Sequence, residues 1–162
     1  MTPIFKLQPF GRLQPLGRLQ RFGMLLVLGA TFAHAQDSRA EASEVAKTFN
    51  NMFVVLAEQK QWDSAEPYLM RAMEIARSLP ESIQMAEVEE NLALLEAHRG
   101  AFREAAQIMG DVIAIEGRTL SVDDPRIARS LATYSAYFAK INQKAQARQA
   151  QERRRAIRRT TF

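Results

Sequence analysis

Three stretches of the chain align with one another 40 to 42 residues apart, and this repetition constrains the fold more than any single motif. The stretches begin at Val45, Met85 and Ile127. A period of this length is typical of arrays in which each unit packs mainly on its neighbours. The positions that coincide are Ala46, Ala86 and Ala128; Met52, Leu92 and Tyr134; Trp62 and Phe102; and Ala65, Ala105 and Ala147.

Each unit has the pattern of a helix, a tight turn and a second helix. Alanine, leucine, glutamate and arginine dominate, apolar residues recur three and four apart, and hairpin dipeptides such as Asn-Gly are missing. We therefore predict an all-α fold with units at about 45–80, 85–122 and 127–159. The predicted helix starts and breaks are Ser38 with Glu41, Asp63 with Glu66 and Pro67 in the first turn, Pro80 with Ser82, Gly100, and Asp124 with Pro125.

Three short motifs lie in register with the repeat. The first is "FNNM" (49–52) with "NLA" (91–93), the second is the turn Gly100, Phe102, Glu104 and Ala105, and the third is the link "DDPRIA" (123–128). Together they resemble the tetratricopeptide repeat, in the longer form found in kinesin light chains and many bacterial proteins. The resemblance covers about residues 44–159 and implies a right-handed α-α superhelix of about three units.

Alanines at the crossing of the two helices of a unit, Ala65, Ala105 and Ala147, are expected to let the helices approach. The chain departs from the repeat pattern at several positions. Lys60 and Asn142 replace the turn glycine, Phe53 replaces a small residue, Glu89 replaces a large apolar one, and Lys144 replaces an aromatic one. The last helix, with an inner face of Ala147, Ala150, Ala156 and Ile157, is predicted to be a solvated terminal cap.

The first 35 residues have the features of a secretory signal peptide. Basic residues precede a ten-residue apolar run, Met24 to Ala33, and "AHA" follows it. We predict cleavage between Ala35 and Gln36, a domain from residue 36 to residue 162, and a periplasmic or secreted location. A buried core helix or a short anchor is the alternative reading. The sequence contains no cysteine, which excludes disulfides and a lipid-modified cysteine within it.

Charge is distributed unevenly along the predicted mature chain. Its 18 basic and 18 acidic residues balance, so the net charge of +4 comes from the leader and does not indicate nucleic-acid binding. Eight of the basic residues lie from Lys140 onward, with one acid, Glu152. Three readings of this region stay open: a solvated cap, peripheral contact with an anionic membrane, cell-wall polymer or nucleic acid, and head-to-tail self-assembly with the acidic body. The basic tail comprises Arg153, Arg154, Arg155, Arg158 and Arg159, preceded by Arg148.

Candidate catalytic groups are scarce. His98 is the one histidine after residue 35, and its helical neighbours Leu94, Leu95, Ala101 and Phe102 offer no second metal ligand. The carboxylates of Glu87, Glu89 and Glu90 read as a solvated helix face. The sequence also lacks a phosphate-binding glycine loop. We therefore predict no enzyme activity, no metal site and no cofactor.

The resemblance to the repeat family implies that the first helix of each unit lines a peptide-binding groove. Asn51 and Asn91 are the principal candidates, because an amide can both donate to and accept from a peptide backbone. An equal alternative is that they only tie neighbouring helices together. The predicted function is an exported, non-catalytic adaptor or scaffold that binds a protein or peptide. The implied groove residues are Lys47, Asn50, Asn51, Val54, Glu87, Glu90, Asn91, Leu94, His98, Arg129, Thr133, Ala136 and Lys140.

Overall fold

Helices make up nearly all of the part of the chain that the computed structural model describes. This part comprises the backbone of residues 18–80 and 82–160, with side chains for 36–80 and 82–157. It contains no strand, which confirms the all-α prediction. The helices are α1 (Arg18–Glu58), α2 (Trp62–Ser78), α3 (Ile83–His98), α4 (Phe102–Thr119), α5 (Pro125–Lys140) and α6 (Lys144–Thr160).

Helix α1 is longer than predicted. It does not start at the Ser38–Glu41 capping box but runs through both residues from Arg18. No proline interrupts residues 18–58, and alanine is frequent between residues 30 and 46, so nothing in the sequence stops the helix. The chain divides into two units, Met1–Ser38 and Arg39–Phe162, and the second contains α1 from Arg39 onward together with α2 to α6.

The predicted signal peptide falls largely outside the described residues. Residues 1–17 are not described, and neither are the side chains of residues 18–35, so the leader and its cleavage site stay predictions. Among the described residues, no helix is long and apolar enough to cross a membrane.

Side-chain caps start two of the first helices. The Ser82 hydroxyl accepts a hydrogen bond from the Met85 backbone N–H at 3.4 Å, at the start of α3. At α5, the Asp124 carboxylate accepts from the Arg126 N–H at 2.9 Å, and Pro125 occupies the first helical position. A proline fits there because that N–H has no partner within the helix. The reading of the "DDP" link as a helix start is confirmed.

The start of α2 differs from the prediction. The residue before the helix is Gln61, which makes no side-chain cap, whereas Asp63 lies inside the first turn. An acid in the first turn still interacts favourably with the helix dipole. Pro67 consequently lies in the second turn of α2 and not in the first, as the sequence suggested.

The tight turn between the two helices of each pair uses the same backbone conformation three times. Lys60, Gly100 and Asn142 have φ angles of 61°, 82° and 59°, the left-handed region. Glycine adopts this conformation without strain, asparagine tolerates it, and lysine adopts it rarely. The register that placed Lys60 and Asn142 opposite the turn glycine is therefore correct in three dimensions.

The small residues predicted to lie where the two helices of a pair cross are buried. Ala65 and Ala105 are fully buried and Ala147 nearly so. In the first pair, Phe53 is also fully buried and meets Trp62 edge-on, with 6.4 Å between the ring centroids. A ring at this position means that the first pair packs through an aromatic contact, whereas the equivalent residue of the second pair is Ala93.

The core consists of three successive clusters, one near each helix pair, instead of one central core. The first is built around Phe53, Leu69 and Val88, the second around Met109 and Val112, and the third around Ile113, Ile127 and Ile157. Each cluster includes side chains from the neighbouring pair, as expected of a solenoid.

The predicted inner face of the last helix is mostly correct. Ala147, Ala150 and Ile157 are buried, but Ala156 is exposed. Buried positions 147, 150 and 157 are three and seven residues apart and share one helix face, whereas Ala156 lies about 100° away from Ile157.

Candidate peptide-binding groove

One stripe of exposed and half-buried side chains runs along each of the three first helices, at matching positions. The spacing in each stripe is four, three and four residues, which keeps its members on one helix face. We call the three stripes together the first-helix face. Its members are Lys47, Asn51, Val54 and Glu58 on α1; Glu87, Asn91, Leu94 and His98 on α3; and Arg129, Thr133, Ala136 and Lys140 on α5.

Hydrogen bonds place α1 directly beside α3. The Gln84 side-chain amide donates to the Ser43 backbone carbonyl at 2.6 Å, and the Ser43 hydroxyl donates to the Gln84 side chain. Further along, the Asn91 amide donates to the Asn50 side-chain oxygen at 2.8 Å. These contacts hold the two stripes at a fixed register, so they present one continuous surface.

The asparagines divide between the two roles predicted for them. Asn50, which the resemblance placed in the groove, is buried instead, and it accepts a hydrogen bond from Asn91 that ties α1 to α3. Asn51 is exposed on the first-helix face. The amide of Asn91 is half-buried and keeps a second N–H and a carbonyl oxygen for other partners. Asn51 is therefore free to act on a ligand, whereas Asn91 is first a structural residue.

The first-helix face is ordered in rows that cross the helices. One row is charged, with Lys47, Glu87 and Arg129. The next is polar and uncharged, with Asn51, Asn91 and Thr133. A third row is apolar: Val54, Leu94, which is 42% exposed, and Ala136. An amide and hydroxyl row beside an apolar row can hold a peptide backbone and, next to it, an apolar side chain.

The clustered carboxylates of α3 are less solvated than the sequence suggested. Glu87 is exposed, as predicted, but Glu89 and Glu90 are half-buried, because α3 lies between two second helices. Burial raises the pKa of Glu90, nearby Arg129 lowers it, and Glu87 raises it. Glu90 of α3 and Arg129 of α5 are therefore close enough to interact electrostatically.

A second carboxylate, Glu116, is buried at the boundary between α4 and α5, and the sequence did not single it out. One of its oxygens accepts a hydrogen bond from the Ser130 hydroxyl at 2.9 Å. Its other oxygen has no hydrogen-bond partner among the described residues. Burial, the largest effect, raises the pKa of Glu116. The Ser130 bond lowers it, Glu90 raises it, and Arg129 and Arg126 lower it.

At the turn end of this face, aromatic side chains of second helices meet basic side chains of the next unit. The rings of Trp62 and His98 stack at 4.0 Å with 13° between their planes. The Lys140 ammonium lies 5.9 Å from the centre of the Phe102 ring. Trp62 and Phe102 are equivalent residues, and so are His98 and Lys140. Sequence alignment paired the aromatics but could not show what covers them, because the partners come from another unit.

The basic tail lies on α6. Arg153 and Arg155 are exposed and Arg154 is half-buried. The side chains of Arg158 and Arg159 lie outside the described residues. The exposed cations have few apolar neighbours on this helix, which suits a solvated end of an array.

Nothing in the described part of the chain brings together three or more side chains of the kind that bind a metal ion. His98, for example, contacts the ring of Trp62. The first-helix face offers amide groups, a hydroxyl, apolar side chains and charges, which are the means of peptide recognition.

Similarity to known proteins lies in the repeat itself. No curated protein matches the chain. The family model for the tetratricopeptide repeat matches residues 44–115, which include the last third of α1, all of α2 and α3, and most of α4. This match supports the tetratricopeptide repeat that the motifs indicated, and such repeats generally mediate protein–protein interaction in an all-helical fold that is typically non-catalytic.

Proposed function

We propose that this chain is an adaptor or scaffold that holds an extended segment of a partner protein on its first-helix face. The observation that carries the proposal is the row of Asn51, Asn91 and Thr133 beside the row of Val54, Leu94 and Ala136. Such rows suit a backbone that crosses the helices while alternate side chains meet an apolar surface.

The exposure of Leu94 supports this use. Leu94 is 42% exposed and stands in one row with a valine and an alanine of the other first helices. The exposed part of its side chain contributes nothing to the core. Covering apolar surface contributes about 25 cal/mol per Å², so a ligand side chain seated here would gain affinity. The amides on either side would fix its direction.

The absence of cysteine from the sequence makes a direct test available. A photoactivatable, thiol-reactive cross-linker would be attached to Leu94→Cys and, in a separate sample, to Ala136→Cys. Each labelled protein would then be added to an extract of the source cell's envelope. We expect the same partner to be cross-linked from both positions. The reagent on Ala114→Cys, exposed on a second helix, serves as the matched control and should cross-link little of it.

A fourth variant separates the groove from the basic tail. The same reagent at Arg155→Cys reports on partners of α6, which is exposed at that position. Cross-linking from residue 155 alone would contradict the proposal and assign binding to the tail. Equal cross-linking from residues 94 and 114 would contradict it as well, since that would indicate non-specific capture.

We further propose that the adaptor acts outside the cytoplasm, in the periplasm or beyond it. The basic leader, apolar run and "AHA" of residues 1–35 support export. We expect the exported protein to begin at Gln36, as checked by its intact mass. A mass that includes Met24 or earlier residues would contradict this cleavage.

A further inference from the structure

The outer face of α1 has a stripe of exposed apolar side chains that the groove does not use. Val45, Met52 and Val55 are 46%, 41% and 47% exposed, and with Thr48 they follow a spacing of three, four and three residues. Residues at this spacing share one side of a helix, and the middle of that side lies about a quarter-turn from Asn51 and Glu58. We call them the α1 outer stripe.

The equivalent stripe of α3 is buried against the preceding second helix. Met85, Val88, Leu92 and Leu95 stand one repeat after Val45, Thr48, Met52 and Val55. Val88 and Leu95 are buried in the first core cluster, which includes α2, and Met85 and Leu92 are partly buried against it. Leu92 also shares a cleft with Met70, Met73 and Arg77 of α2.

The equivalent stripe of α5 is packed in the same way against α4. The ring of Tyr134 packs on Gly110: it lies 3.7 Å from the position that a β-carbon on residue 110 would occupy. Ser130 donates to Glu116, and the rings of Tyr137 and Phe102 lie 6.2 Å apart. Twice in this chain, therefore, the stripe is a helix-packing surface. In α1 alone, the described residues provide no preceding second helix to cover it.

The two ends of the array differ in chemistry. The outward residues of α6 that correspond to the packing face of α4 are Lys144, Arg148, Glu152 and Arg155, all exposed. Stacking α6 of one chain on α1 of the next would press these charges against Val45, Met52 and Val55. Removing charges from water without partners is strongly unfavourable, so a head-to-tail filament does not fit these surfaces.

A second copy of α1 does fit, since its stripe is apolar at the same spacing. We propose that the chain forms a two-fold symmetric homodimer in which the two α1 outer stripes pack on each other. A two-fold contact uses the same patch on both partners and closes after two copies. The polar faces of both α6 helices then remain at the outer ends of the assembly, where terminal units of such arrays need a solvated surface.

Sedimentation equilibrium of the purified full chain over a wide concentration range tests the proposal. We expect a monomer–dimer equilibrium. Met52→Glu with Val55→Glu should weaken it by about tenfold or more, because the pairing would place four carboxylates in an apolar contact. The matched control is Val122→Glu, at a residue 83% exposed in the loop before α5, which should dimerise like the unaltered chain.

Charge reversal makes the test specific to self-pairing. The variant Met52→Lys with Val55→Lys should also be monomeric, whereas an equal mixture of the glutamate and lysine variants should recover dimers. Circular dichroism of each variant verifies that the helices are intact. A chain that is monomeric at every concentration, or a glutamate variant that associates like the unaltered chain, would overturn the proposal. If the chains associated through residues 1–35 instead, the glutamate variant would associate like the unaltered chain, and that result would overturn the proposal.

Discussion

Replacing Phe53 with alanine should lower the free energy of unfolding by about 3–5 kcal/mol, the typical cost of removing a buried phenylalanine ring. Phe53 is fully buried at the centre of the first core cluster and contacts Trp62 edge-on. The equivalent residue of the second pair is Ala93, around which the helices are already packed. In the first pair the helices are spaced around the ring, so its removal leaves a cavity.

Denaturant unfolding measured by circular dichroism gives this free energy. Met70→Ala is the matched control, because Met70 lies on the same helix pair but is 41% exposed, and its replacement should change stability by about 0.5 kcal/mol or less. A loss at Phe53 as small as the loss at Met70 would mean that α1 and α2 close up around the alanine, as the second pair does around Ala93.

Replacing Glu116 with glutamine should stabilise the fold at neutral pH and have little effect in acid. Burial raises the pKa of this carboxyl above its ordinary value of 4.5, and Glu90 raises it further, while Ser130, Arg129 and Arg126 oppose the change. Because the pKa of Glu116 is higher in the folded state than in the unfolded state, its contribution to the free energy of unfolding is fully present below the unfolded pKa. It is lost as the pH rises through the folded pKa, by about 1.4 kcal/mol for each pKa unit between them.

The measurement is the free energy of unfolding between pH 4 and neutral pH, for the unaltered chain and for Glu116→Gln. The difference between the two curves should grow in favour of the variant as the pH rises, because glutamine keeps the Ser130 contact and carries no charge. Glu104→Gln is the control, an exposed glutamate on the same helix. Curves that remain parallel would mean that Glu116 is not the titrating group.

The sequence was sufficient for the features that depend on local chemistry and on the repeat. Asp124 and Pro125 predicted the start of α5, because a cap and a fixed φ angle act within one helical turn. Gly100 predicted the turn, and register then identified Lys60 and Asn142 as its equivalents. The burial of Ala65, Ala105 and Ala147 followed from the same alignment.

Features that depend on neighbouring helices were not predictable. Ser38 and Glu41 form a capping pattern that predicted a helix start, yet the helix already runs through them, because a local start signal does not interrupt a segment that favours helix on both sides. The pairing of Asn91 was predicted only as one of two alternatives, and its partner proved to be Asn50. Its position on the adjacent helix could be known only after the two helices were docked.

The candidate site shows the same division. The family resemblance implied that Asn51, Val54, Leu94 and their equivalents line one face; in the structure Asn51 and Leu94 are exposed, whereas Val54 is half-buried. Burial of Glu90 and Glu116 was missed, since it is imposed by helices distant in sequence. The stacking of His98 on Trp62 was missed for the same reason.

The succession of three small core clusters has a consequence for how the chain opens. Helix α6 buries chiefly two alanines and one isoleucine, Ala147, Ala150 and Ile157, so it is held by much less apolar surface than α2 or α4. Local unfolding should therefore begin at this end, with α6 fraying from α5 while the first two pairs remain intact. Such fraying would loosen α5, which supplies one third of the first-helix face. A partner that spans all three helices binds only the closed array, so its binding and the order of the C-terminal pair are thermodynamically coupled.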